Sequence, residues 1–120
     1  MRKVLLICAK MVLGVMGLSM MVGAHELKLD DAAIVENLQD KQVAGNDWAQ
    51  KFFAGGKTWY ESARGREWGS WRVQNNQYCS QWPPSDSWNC YDLFRNDHNG
   101  EETMLIWIDA IGNRTFGAVQ

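Results

Sequence analysis

Seven tryptophans in a chain of 120 residues are the side chains best suited to recognition chemistry: Trp48, Trp59, Trp68, Trp71, Trp82, Trp88 and Trp107. An indole offers a broad flat face and one N–H donor, a combination that stacks on a sugar ring or another flat ligand and fixes its orientation. The competing use is core filling, because strands accept bulky aromatic side chains readily. Trp71 and Trp107 stand among apolar neighbours and read as core. Trp82 and Trp88 flank Pro83-Pro84-Ser85-Asp86-Ser87, where the chain must loop, so these two are the candidate ligand-binding residues.

The two histidines suggest a different chemistry. If the chain is cleaved after Ala24, His25 becomes the mature N-terminus, with an amine and an imidazole on one residue. Those nitrogens, joined by His98, are a donor set for tetragonal Cu(II). The plainer use is a frayed arm for His25 and a polar turn for His98. Copper is therefore the alternative cofactor, and otherwise none is expected. Catalytic residues are not expected either. No serine stands in a nucleophile-elbow pattern, and Asp30/Asp31 and Glu101/Glu102 are adjacent, which reads as solvated charge. Asp92 and Asp109 are lone carboxylates, whereas acid–base work generally needs a partner.

Met1–Ala24 has the pattern of a signal peptide. Arg2 and Lys3 form a basic start, Met11–Val22 is apolar, and Val22-Gly23-Ala24 offers small residues at the cleavage site. The apolar run is shorter than the roughly 20 residues a membrane span requires. Cleavage leaves one domain, His25–Gln120. It removes Arg2, Lys3 and Lys10 from the twelve basic residues and none of the fourteen acidic ones, for a net charge of 9 − 14 = −5. Such a surface argues against nucleic acid and anionic membranes as partners. Two cysteines remain, Cys79 and Cys90, and their spacing reads as a structural disulfide in an oxidising compartment. Closing that loop should stabilise the fold by roughly 2–3 kcal/mol.

The elements that position these residues are mostly strands. Asp30 caps a short helix over 31–40, with Ala33, Ile34 and Leu38 as its apolar stripe and Val35 at its margin. Residues 25–28 read as a loose arm. Alternating patterns broken by turn residues then predict seven strands: 47–53, 57–62, 68–74, 77–82, 88–95, 103–109 and 115–119. Asn75-Asn76 suits a tight hairpin, since asparagine tolerates positive φ. Facing Cys79 with Cys90 also sets Tyr78 against Tyr91, and alternation puts Tyr78, Ser80 and Trp82 on one face.

The ordered set Leu38-Gln39-Asp40-Lys41, Val43-Ala44-Gly45-Asn46, Trp59-Tyr60, Gly69-Ser70-Trp71-Arg72-Val73, Tyr78-Cys79-Ser80-Gln81-Trp82 and Trp88-Asn89-Cys90-Tyr91 resembles small secreted proteobacterial proteins catalogued as domain of unknown function 995. The resemblance spans nearly all of the mature chain. It implies secretion, the disulfide and a small β fold, and it implies no activity. Glu61-Ser62-Ala63-Arg64-Gly65 departs from the Asp-Gly turn of such proteins, so a longer hairpin is expected there. The fold expected is mainly β, a small antiparallel meander or barrel-like sheet with one N-terminal helix, periplasmic or secreted and monomeric. The expected function is non-catalytic binding of a small ligand, a glycan or an envelope protein. The alternatives are copper binding through His25 and an inhibitor or interaction module presenting the Trp82–Trp88 loop.

Overall fold

The computed structural model describes residues 26–96 and 103–120, so the predicted signal segment, His25 and His98 lie outside the described residues. Strand β1 (Glu26–Lys28) leads into helix α1 (Asp31–Leu38). Eight strands follow: β2 (Lys41–Ala44), β3 (Ala49–Phe52), β4 (Lys57–Ser62), β5 (Gly65–Gln74), β6 (Gln77–Gln81), β7 (Asn89–Asn96), β8 (Met104–Ile108) and β9 (Arg114–Val119). Each of β2 to β9 pairs antiparallel with the next. Val43↔Val119 and Ala44↔Ala118 join β9 back to β2 and close the barrel. Closure leaves no open sheet edge among these eight strands.

The protein is mainly β, as its alternating sequence pattern implies, but two strands depart from that expectation. Residues 26–28 are not a loose arm. Glu26↔Asn96, Leu27↔Arg95 and Lys28↔Phe94 pair β1 with the half of β7 that runs past β6. β2 follows the helix immediately. Both strands are too short to show a period, and their partners are distant in sequence. The helix ends at Leu38 because Asp40 takes a positive φ of 61°. The β4–β5 hairpin is tight rather than long: Ser62↔Gly65 closes it with two intervening residues, and Gly65 at φ 112° allows the reversal. The Cys79–Cys90 disulfide forms between paired positions of β6 and β7, with Tyr78 opposite Tyr91.

One end of the barrel is plugged. The Asp30 carboxylate accepts from the Ala33 N–H at 2.9 Å and starts α1, whose Ile34 and Leu38 are fully buried. They pack with Val43, Phe52, Leu93 and Leu105, which point inward from four strands. Trp71 joins the same end, its indole N–H donating to the Phe53 carbonyl at 2.9 Å. The helix is tied to the β5–β6 turn by a reciprocal pair: the Asn76 N–H donates to the Asp31 carboxylate (2.8 Å), and the Asp31 N–H donates to the Asn76 side-chain oxygen (3.0 Å). Asn75 and Asn76 have φ of 53° and 59°, as a two-residue hairpin turn requires. The helix and these apolar side chains fill the lower half of the lumen and leave the upper half to a different set of residues.

Candidate functional site

The upper half of the lumen is an open cavity of about 320 Å³. The strand period of two creates it. Gln50, Tyr60, Glu67, Tyr78, Tyr91 and Trp107 all take inward positions on their strands, above the apolar plug. Thr115 adds a further inward position on β9, while Trp48 and Trp82 enter from the β2–β3 and β6–β7 loops at the mouth. An eight-stranded barrel is about wide enough to be filled by side chains or to hold one small ligand; this one is filled below and open above.

Small residues make room for the two mouth tryptophans. A Cβ on Gly69 would stand 2.6 Å from the Trp82 ring and 2.5 Å from the Gln81 carbonyl, so Trp82 lies directly on the β5 backbone. Trp48 is wedged in the same way between Gly45 and Gly117. The rings then contact one another in sequence. Trp48 stacks on Tyr60 with centroids 5.7 Å apart, and Tyr60 meets Trp82 edge to face at 6.2 Å. Deeper in, Trp107 makes T-shaped contacts with both Trp48 and Tyr78 at 6.2 Å.

Gln50, Tyr78, Ser80 and Trp82 in the cavity wall are joined in one hydrogen-bonded chain. The Trp82 indole N–H donates to the Ser80 hydroxyl at 3.2 Å, and Ser80 is hydrogen-bonded to the Tyr78 hydroxyl. The Gln50 amide donates to Tyr78 (3.1 Å) and to Thr58 (3.0 Å), and the Thr58 hydroxyl donates to the Lys51 carbonyl at 2.6 Å. This chain locks the rotamers of the floor. Burial pushes the Tyr78 pKa up and keeps its hydroxyl protonated within this chain. Glu67 stands exposed at the rim.

Of the two tryptophans singled out in the sequence, the structure brings Trp82 to the cavity and does not bring Trp88. Trp88 lies on the outer surface near the disulfide, with the Arg72 guanidinium 3.9 Å from its ring centre. Trp107, expected as core, contributes both to the core and to the cavity floor. The sequence reading missed Trp48, Tyr60, Gln50 and Tyr91 as lining residues. Their parity on adjacent strands carried the signal, but register across five hairpins was needed to use it. Among the described residues, no cluster of histidine, cysteine, aspartate and glutamate is arranged to hold a metal.

The chain matches no protein-family model, no curated protein and no solved structure. The functional assignment therefore rests on the chemistry of the site itself.

Proposed function

We propose that the protein is a non-catalytic binding barrel that holds one small molecule in its upper lumen. The observation that carries this reading is the half-filled interior. Six aromatic side chains converge on a cavity they do not close, and the Tyr78 hydroxyl and Trp82 indole N–H among them are already paired. A pocket of this volume is at the small end of the range for low-molecular-weight ligands. The paired polar floor and wedged tryptophans preorganise the site, so little ordering entropy is lost on binding. Glu67 is the one carboxylate among the described lining residues and no histidine, lysine or cysteine stands with it there, which favours binding over turnover.

The Cys79–Cys90 disulfide is compatible with an oxidising compartment, and we place the protein in the periplasm or outside the cell. We also group it with the small secreted proteins that its sequence resembles; that grouping adds no activity, and the function rests on the cavity.

Plugging the lumen tests the reading. Thr115 is an exposed lining residue on β9, so Thr115→Trp can fill the mouth without disturbing the apolar plug. A small-molecule library screened by thermal shift and tryptophan fluorescence should give ligands for the wild type that fail to bind Thr115→Trp, with both proteins melting alike when unliganded. Ligands that bind the two proteins equally, or a wild type that responds to none, would contradict a lumenal site.

A further inference from the structure

We propose that the ligand is a small organic cation of the alkylammonium class, held against the faces of Trp48, Tyr60 and Trp82 beneath the carboxylates Asp47, Glu67 and Asp109. This inference rests on the binding-barrel reading and specifies its ligand.

The first observation concerns where the protein puts its own cations. On the outer surface, three aromatic rings are covered by basic side chains of the chain, while Trp68 and Phe116 stand exposed without one among the described residues. Arg66 sits 3.8 Å from the ring centre of Trp59, Arg72 3.9 Å from that of Trp88, and Lys51 5.3 Å from that of Phe53. Inside the mouth the opposite holds: among the described residues, no lysine or arginine lines the cavity. Trp48 and Tyr60 stack on each other and Trp82 is seated on Gly69, and no basic side chain among the described residues covers what these rings leave facing the cavity. A cation over such a face is attracted by the ring quadrupole, more strongly where water is excluded.

The second observation is the charge at the mouth, which comes from three different elements. Asp47 precedes Trp48 in the β2–β3 loop, Glu67 lies on β5, and Asp109 begins the β8–β9 turn. Their field reaches the cavity tyrosines. Burial first, and then Asp47 and Glu67, push the Tyr60 hydroxyl pKa up, while Arg64 acts in the opposite direction. Burial and Asp109 raise that of Tyr91. Asp109 itself accepts from the backbone N–H groups of Asn113 and Ile111 and from the Asn113 amide, which holds its carboxyl below the usual range and keeps it charged. Arg64 is the one cation felt at Tyr60, set against two carboxylates there. Aromatic faces beneath converging negative charge suit a weakly hydrated cation, whereas a carboxylate or phosphate ligand would meet repulsion.

A charge-matched pair of probes decides the point. Choline and 3,3-dimethyl-1-butanol have the same shape and differ in the charge of the quaternary centre; benzyltrimethylammonium and glucose extend the set to a larger cation and a neutral sugar. Binding is read by tryptophan fluorescence and calorimetry on the wild type, Glu67→Gln and Trp82→Ala. Choline or benzyltrimethylammonium should bind about tenfold or more tightly than the neutral alcohol. Glu67→Gln should weaken the cation several-fold and leave the alcohol unchanged, and Trp82→Ala should weaken both. Equal affinity for choline and the alcohol, or binding of glucose in preference to the cations, would overturn the cation assignment and leave the binding barrel standing. Failure of all four probes to bind overturns the cation assignment as well, and the library screen on Thr115→Trp then judges the barrel reading separately.

Discussion

Trp82 has one face seated on the backbone at Gly69 and the other turned to a cavity, and that asymmetry separates it from the core aromatics. Phe52 is fully buried, with Trp71, Tyr78 and Trp107 around it. Phe52→Ala should therefore cost about 3–5 kcal/mol of stability. Trp82→Ala is expected to cost well under half of that while removing ligand affinity, with both variants compared by urea unfolding. Gly69→Ala attacks the same contact from behind. Its new methyl meets backbone as well as ring, so a loss of about 1–3 kcal/mol is expected together with weaker binding. Tyr78 gives a pH signature. Burial raises its pKa above the ordinary 10.0, more than the hydrogen bonds to Ser80 and Gln50 lower it. The folded state then keeps the phenol proton after the unfolded chain has released it. Stability is full below about pH 10 and declines as pH rises further. Tyr78→Phe should reduce that alkaline decline, leaving the smaller contributions of Tyr60 and Tyr91, as followed by unfolding midpoints across the alkaline range.

At the scale of elements, the Asn75-Asn76 turn leads into β6 and the disulfide ties the middle of β6 to β7, and their loss should be felt differently. Cys79 points away from Tyr78 and Ser80, so the disulfide braces the outer side of the β6–β7 pair. Replacing both cysteines by serine should remove roughly 2–3 kcal/mol without altering which ligands bind. Asn76→Ala loses a left-handed conformer and the hydrogen bond its side-chain oxygen accepts from the Asp31 N–H. It should cost about 1–2 kcal/mol, whereas Asn76→Gly recovers the conformer and loses only that side-chain bond, its backbone N–H still donating to Asp31. Both losses are measurable by thermal unfolding. The hairpins around these elements were legible in the sequence because each is local. Facing Cys79 with Cys90 fixes the β6–β7 register, and two asparagines mark the β5–β6 turn. β1 and β2 were not legible, because a strand of three or four residues has no period and its partner lies far along the chain. Trp88 went astray for a related reason. Flanking a loop does not say which side of the sheet a ring takes, and Arg72 on β5, one strand beyond β6, holds it on the outer side.

For the whole molecule, closing β9 onto β2 converts a meander into a vessel, and α1 stops one end of it. The alternating pattern implied a barrel-like sheet; it did not reveal that the plug fills only the lower half, since Trp71 and Trp107 look alike in sequence and differ in depth. The central claim is that the upper half binds a small molecule, and the indole N–H resonances of the seven tryptophans report on it by position. A nitrogen–proton correlation spectrum is recorded during titration with benzyltrimethylammonium and, separately, with glucose. Shifts confined to Trp48, Trp82 and Trp107, with Trp59, Trp68, Trp71 and Trp88 unmoved, are the result expected of a lumenal site. Shifts centred on the outer rings Trp68 and Trp88 with either probe would contradict it.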